Sequence, residues 1–567
     1  MKSIQFKRVN CRNCYKCVRN CPVKSIAVKD EQSQIIEEEC ILCGACLTVC
    51  PQNAKSMKTD LALVRGWMAE GRRVCLTIAP SYAAALSVPD AGALLPAMKR
   101  LGFLHAEETA QGAALVSREY ARLMQEAQME NIISTCCPTI ILLVEKYFPE
   151  LIGSLAPVVS PMVASARSLK QRFGAHTKVV FLGPCLYKHE ECEDFSDHSV
   201  DAVLTFSELA DWMAEECVSF EETGAALGDE ELARARLYPL PGGVLQTIAQ
   251  EQRGDYQCVA IDGVPRVIEV LRALQSGSLH HFFIEANSCV GGCINGPCMM
   301  QPPGGWLETN ARMRRYYECA GGSVPLDAPP DMTRTFTDRK KRTPHPTEAE
   351  LRAILTEIGK PTEDKELNCG SCGYPTCKQK AEAVYLGKAE LHMCLPYMRE
   401  RAESLSNLVV DATPNGIFVL DETLKISDMN AAAERMLHAT RADAIGSHIF
   451  EYLICDDFER VLATGEPVRD RKFVYEEYGL SVYQTVLLVP EQKSLLILLR
   501  DVSAEEEQRE RLMTLRHDTI ETAQRVIDKQ MSVAQEIASL LGETTAETKA
   551  TLRRLQKSMQ DETGERQ

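Results

Sequence analysis

The sequence predicts a multidomain chain of α/β and α+β domains, and three observations carry that prediction. Sixteen of the 24 cysteines fall into four sets of four with ligand-like spacing. Residues 59–345 alternate short apolar runs with amphipathic segments, the pattern of an α/β domain. Residues 403–503 hold no such cysteine set, and a long polar helical stretch follows Glu505. A chain of 567 residues has room for several domains, and 45% hydrophobic with 25% charged residues is ordinary for a globular protein. No run approaches 18 consecutive apolar residues, so no transmembrane helix is expected. The N-terminus, Met-Lys-Ser-Ile-Gln-Phe-Lys-Arg, lacks the apolar core of a signal peptide. The expectation is a cytoplasmic protein, in which thiols stay reduced and clustered cysteines act as metal ligands rather than disulfides. A net charge of -16 argues against nucleic acid as the main partner. The first 58 residues are the reverse, with ten Lys/Arg against five Asp/Glu, a patch suited to an acidic electron carrier.

Residues 1–58 form the first predicted domain. Cys11-x2-Cys14-x2-Cys17-x3-Cys21-Pro22 recurs 29 residues later as Cys40-x2-Cys43-x2-Cys46-x3-Cys50-Pro51. This resembles the two-cluster bacterial ferredoxins, in which the fourth Cys of each run ligates the other cluster. One [4Fe–4S] cluster is thus assigned Cys11, Cys14, Cys17 and Cys50. The second is assigned Cys40, Cys43, Cys46 and Cys21. Zinc modules seldom use four cysteines per run twice over.

In residues 59–345, Val74–Ala79, Lys178–Leu182 and Cys258–Asp262 read as buried strands. Leu94–Leu101, Ser117–Glu126 and Pro265–Leu274 carry helical periodicity. Three loops hold the remaining ligand candidates: Ser134-Thr-Cys-Cys-Pro-Thr139, Gly183-Pro-Cys-Leu-Tyr-Lys-His-Glu-Glu191, and Glu285-Ala-Asn-Ser-Cys-Val-Gly-Gly-Cys-Ile-Asn-Gly-Pro297. Together, and in this order, they resemble the three signature segments of [FeFe]-hydrogenases. The resemblance implies that Cys137, Cys185, Cys289 and Cys293 bind a [4Fe–4S] cubane. It also implies that Cys293 bridges to a two-iron unit with carbonyl, cyanide and dithiolate ligands, the whole forming an H-cluster. Lys188 would then donate to a cyanide, and the thiol of Cys136 would pass protons. Cys75, Cys217, Cys258, Cys319 and Cys455 read as buried and chemically idle, while Cys192 and Cys298 lie close to the cage segments in sequence.

The resemblance has gaps. Strongly active members of that family carry Met in the slots of Gly183 and Asn287. Their proton relay continues through two carboxylates and a serine, in slots held here by Tyr120, Leu123 and Ala156. Leucine and alanine have no exchangeable proton, and tyrosine titrates near 10. Proton hopping would stall beyond Cys136 unless water or Glu119 substitutes, so slow turnover is expected.

Residues 346–402 contain Cys369-Gly-Ser-Cys372-Gly-Tyr-Pro-Thr-Cys377 and Cys394, which resembles a small [4Fe–4S] module. A helix over Ala381–Leu391 is predicted to deliver the last ligand, and Arg334–Lys365 reads as a linker. In residues 403–503, Asp411–Asp421, Ile426–Leu437 and Leu495–Ser503 resemble the opening strands, first helix and last strand of a PAS domain. No cofactor is assigned there. In residues 504–567, Ile520, Ala523, Ile527, Met531, Ala534, Ala538 and Leu541 step by 3 or 4, a stripe suited to a coiled coil that stops at Gly542.

The whole succession resembles the sensory class of [FeFe]-hydrogenases. It implies three [4Fe–4S] clusters plus the H-cluster, low-turnover reversible H2 oxidation, and signalling through PAS and the C-terminal helix. The implied partners are H2 and protons, ferredoxin or another electron carrier, hydrogenase maturation enzymes, a kinase or phosphatase, and a second copy of the chain. Two alternatives stay open at this stage: a fully competent ferredoxin-linked hydrogenase, and an iron–sulfur redox sensor or scaffold without the two-iron unit.

Overall fold

The computed structural model describes residues 4–6, 10–86, 88–195, 197–223, 230–318, 329–541 and 546–561. They form two compact units, Met1–Met398 and Arg399–Gln567.

The first unit opens with a small two-fold repeat. Ile4–Phe6 pairs antiparallel with Lys55–Met57, and Ile26–Lys29 with Gln32–Ile35. Each cysteine run feeds a short helix, Lys16–Asn20 or Ala45–Thr48, that carries the third cysteine of the run. Both helices are entered through a left-handed residue, Tyr15 or Gly44. At Gly44 the glycine is also sterically required, since a Cβ there would lie 2.5 Å from Pro297.

Behind this repeat lie two parallel sheets. One has the order His105–Glu108, Val74–Ile78, Lys178–Leu182, Ala202–Leu204; the other runs Gln257–Asp262, Phe282–Asn287, Ile132–Ile133. Helices cover the strands, so Val74–Ile78 is buried at every position, as parallel strands are. Gln257–Asp262, expected to be buried, is half-exposed because it sits at a sheet edge. The helix begun at Ser117 by periodicity starts at Ala110, since Ala110, Gly112 and Ala113 are small enough to pack closely on Pro161–Phe173. At Gly112 that closeness is extreme: an added Cβ would lie 2.3 Å from the Pro161 carbonyl oxygen.

Arg334–Lys365 is not a free linker. The backbone of Val159 donates to Met332, that of Thr337 to the Glu145 carboxylate, and Arg334 pairs with Glu191. A helix, Glu348–Glu357, follows with a Thr347/Glu350 capping box, and Leu355 and Ile358 are buried. The helix expected over Ala381–Leu391 runs instead over Cys377–Tyr385, capped by Thr376. Gly387 at φ 65° turns the chain, and Cys394 follows a separate short turn, Leu391–Met393. Helical periodicity alone missed that glycine stop.

In the second unit a five-stranded antiparallel sheet has the order Ile426–Met429, Gly416–Leu420, Ser494–Asp501, Leu480–Val489, Val468–Tyr475. One face is covered by short helices over a core including Phe418, Phe458, Val482 and Ile497, each 0% exposed. Asn430 locks the start of the covering helix Ala431–Leu437. Its Oδ1 accepts from the Ile417 and Ala433 amides, and its Nδ2 donates to the Val410 and Asn415 carbonyls. The tail is a 39-residue helix, Ser503–Leu541, followed by Ala546–Asp561. The expected stop at Gly542 lies outside the described residues. No described helix is long and apolar enough to cross a membrane.

Candidate active site

Each of the three signature loops leaves the carboxyl end of a parallel strand. Cys136 and Cys137 follow Ile132–Ile133, Cys185 follows Lys178–Leu182, and Cys289 follows Phe282–Asn287. Loops at that end are where α/β sheets place ligands. Cys136, Cys185, Lys188, Asn287 and Cys293 line one cavity of about 90 Å³, with Ser81, Thr109 and Phe181 among its other walls. Cys137 and Cys289 stand behind this wall, near enough that their charges act on Cys185 and Cys293.

Burial dominates the chemistry of these thiols. It pushes Cys185 up to about 11 and raises Cys289 and Cys293 further, with neighbouring cysteines adding to each shift. Four apposed soft donors, each costly to ionise alone, suit a multi-iron cluster whose positive charge makes thiolates favourable. Cys136 is likewise raised to about 12 by burial and then by Cys137 and Glu285, so its thiol holds its proton.

Lys188 is anchored from below the cavity. Its Nζ donates to Glu191 Oε2 at 2.5 Å and to Ser160 Oγ at 3.1 Å. An ammonium has three protons, which leaves one for a guest in the cavity that Lys188 lines. Burial opposes charge on Glu191, yet the Lys188 ammonium and Arg334 guanidinium hold its carboxyl below the usual carboxylate range. The Arg334 of this network comes from the stretch read as a linker, which is why the sequence pattern did not connect it to Lys188.

Gly183 and Asn287, where methionines were noted in active relatives, have definite surroundings. A Cβ on residue 183 would lie 2.7 Å from the Phe181 ring, so Phe181 occupies the space such a side chain needs. Asn287 donates to Glu285 Oε1 at 3.3 Å. Of the relay slots, Tyr120 is fully buried and its hydroxyl accepts from the Thr135 amide at 2.8 Å. Ala156 and Leu123 are buried and inert. Glu119, the suggested substitute, instead pairs with Arg122 on the partly exposed face of its helix. The group overlooked in the sequence is Glu285, which is 0% exposed and receives the amides of Gly242 and Leu245 at 2.8 and 3.0 Å. Burial raises its carboxyl to about 7, and its charge acts on Cys136. Its only signal was a carboxylate inside the third signature segment.

Two further cysteine sets each close on a pocket. Cys21 joins Cys40, Cys43 and Cys46 around one, the exchange of fourth cysteines that the repeat implied. Cys369, Cys372, Cys377 and Cys394 surround another, beside the buried Lys380. Cys11 and Cys50 are half-buried, Cys14 is exposed and Cys17 buried. Among the described residues no group of three His, Cys, Asp or Glu side chains is arranged to hold a single metal ion. Of the cysteines read as idle, Cys75 and Cys455 are buried, Cys258 is half-buried, Cys217 is exposed because it ends a surface helix, and Cys319 lies outside the described residues. Cys192 donates to the His189 carbonyl, and Cys298 lies against Met57.

Comparison with known proteins follows the same divisions. The family model of the iron-only hydrogenase large subunit, C-terminal domain, matches residues 72–297. A 4Fe-4S dicluster domain matches 3–51, an Fe-S cluster domain 366–396, and the PAS fold 406–477. Iron hydrogenase 1 of Clostridium pasteurianum is 24% identical over 370 residues, covering 52% of this chain and 64% of that protein. The periplasmic [Fe] hydrogenase large subunit of Nitratidesulfovibrio vulgaris is 25% identical over 267 residues, covering 38% and 63%. The chain therefore spans less than two thirds of the length of either relative. A solved [FeFe]-hydrogenase variant from Chlamydomonas reinhardtii aligns at 16% identity and TM-score 0.38, over 50% of this chain and 100% of that one. In chain order this protein carries a 4Fe-4S dicluster domain, an iron-only hydrogenase large-subunit domain, a further Fe-S domain and a PAS fold, and its central domain belongs to the iron-only hydrogenases.

Proposed function

We propose that this chain is an H2-responsive hydrogenase that turns over slowly and signals through its iron–sulfur clusters. The observation that carries the reading is the cavity bounded by Cys136, Cys185, Cys293 and Lys188, with one ammonium proton directed to no protein partner. A two-iron unit bound there beside the Cys137, Cys185, Cys289 and Cys293 cubane supplies reversible cleavage of H2 to two protons and two electrons. Lys188 orients and holds a small anionic ligand by a charge-assisted hydrogen bond. Cys136, kept protonated, carries the proton at its Sγ. Phe181 and Pro161 help keep bulk water from the cavity. Beyond Cys136, Leu123 and Ala156 move no proton, which supports slow turnover. The helix Leu395–Ala412 begins at the residue after Cys394 and leads to the PAS strands, a route by which cluster state could bias PAS, the C-terminal helix and a kinase or phosphatase.

One observation favours the competent-enzyme reading. Glu285, titrating at about 7 near Cys136, is a proton acceptor suited to neutral pH. The rate of H2 oxidation by matured protein separates the two readings. A rate at least about 100-fold below that of efficient hydrogenases, whose losses on deleting a relay group are of that order, supports the sensor. A comparable rate overturns it.

A further inference from the structure

The Cys369–Cys394 segment follows the hydrogenase domain in sequence but packs on the N-terminal dicluster domain in space. Cys372, Tyr374, Ala383, Ala389 and Met393 share one apolar cluster with Cys17, Val18, Cys21, Ile26, Val28 and Cys46. The fit is close at Gly373, whose φ is 97° and where a Cβ would lie 2.8 Å from Val18 Cγ1. Arg19 bridges the two cysteine loops, donating to the Cys14 carbonyl at 2.9 Å and the Ser371 carbonyl at 3.1 Å. The Val28 amide donates to the Lys388 carbonyl at 2.8 Å, the Asp30 amide to Glu390 at 2.7 Å, and Lys388 pairs with Glu39 at 2.6 Å. Lys24, half-buried, has the Cys21 and Cys372 thiols both within electrostatic reach.

The same N-terminal domain meets the cage on its other side. Cys43 and Ile41 join the apolar cluster that contains Cys137, Ile141 and Val264, and the charge of Cys43 acts on Cys289. Lys146, on the helix that starts after Cys137, donates to the Cys40 carbonyl at 2.8 Å. Of the four cysteines that share a pocket, Cys43 thus faces the cage while Cys21 faces the Cys369–Cys394 segment.

We propose that the cluster held by Cys21, Cys40, Cys43 and Cys46 is a branch point, exchanging electrons with the cage through Cys43 and with the Cys369–Cys394 cluster across the Val18–Gly373 contact. Each step moves one electron from a reduced cubane to an oxidised one, with no bond made or broken. The electrons come from H2 at the cage or from any low-potential one-electron donor. Arg19 and Lys24 place positive charge between two anionic clusters, which eases having both reduced at once. The inference rests on reading these cysteines as iron–sulfur ligands, but needs neither the two-iron unit nor H2.

The test is electron paramagnetic resonance of the full chain, reconstituted with iron and sulfide, never matured, and reduced with dithionite. Reduced clusters in contact couple magnetically, so the expected spectrum is broadened and split. Cys369→Ala, at an exposed position, should remove one cluster's iron and the splitting that belongs to it. Gly373→Val, which pushes Val18 away, should keep the iron and narrow the signal; Arg19→Gln should narrow it in part if the first variant fails to fold. A wild-type spectrum equal to the Cys369→Ala spectrum plus one narrow isolated signal overturns the branch. Iron content that does not fall in Cys369→Ala overturns the iron–sulfur reading of the segment, and the branch with it.

Discussion

The cage and the dicluster domain use the same ligand chemistry but assemble it in opposite ways. In the dicluster domain each cluster takes three ligands from one seven-residue run, and short helices entered at Tyr15 and Gly44 set the geometry locally. In the cage, ligands come from three loops spread over more than 150 residues, at the ends of strands in two different sheets. Local ligand runs fold around their iron. The cage is preorganised by the whole domain, so its thiols are buried before any metal arrives, and each is raised by desolvation. The difference teaches that the dicluster should fail one ligand at a time, whereas the cage should respond to changes in its supporting residues as well.

The largest effect is expected from Cys293→Ala, which should abolish H2 turnover and the infrared bands of the two-iron unit. Iron in the dicluster domain, counted by reconstitution and absorbance, should stay unchanged. Lys188→Met comes next. It removes the donor at the cavity and leaves Glu191 buried with Arg334 alone. Retention of the two-iron unit should drop about 10- to 100-fold. Chemical denaturation of the first unit should show a loss of about 3 kcal/mol.

Glu285→Gln tests the proton side of the comparison, because nothing in the dicluster domain depends on it. Its carboxyl binds a proton in the fold up to about 7 but only to about 4.5 when unfolded. The folded state therefore holds more protons between those values, and its stability falls as pH rises through that window, then levels off. Glu285→Gln should remove that slope in pH-dependent melting. It should also remove the rise in H2 oxidation as pH passes 7, lowering the rate about 10-fold or more. The smallest effect on the cage is expected from Asn430→Ala. Losing the four hydrogen bonds of a buried amide should destabilise the PAS unit by about 2–3 kcal/mol while the infrared spectrum of the core is unaltered.

What could be seen in the sequence follows the same division. The cysteine runs, the parallel strands and the PAS topology rest on short-range spacing and periodicity, and the fold agrees with them. The residues that missed were those whose meaning depends on contacts far along the chain. Arg334 looked like part of a linker because its partner Glu191 is 143 residues away. Glu119 looked like a proton acceptor until its ion pair with Arg122 was visible. Glu285 drew no role because burial, which sets its proton affinity, has no local signature. The Ala381–Leu391 helix was misplaced because a left-handed Gly387 outweighs apolar periodicity around it. The docking of Cys369–Cys394 on the dicluster domain has no sequence signal beyond the glycine that permits it.

The infrared spectrum of the matured full-length chain tests the cavity directly. Carbonyl and cyanide stretches that appear in the wild type, vanish in Cys293→Ala, and shift in the cyanide region alone in Lys188→Met are the predicted result. A matured wild-type protein with full cubane iron and no such bands would contradict the account and leave a chain of iron–sulfur clusters joined to a PAS domain.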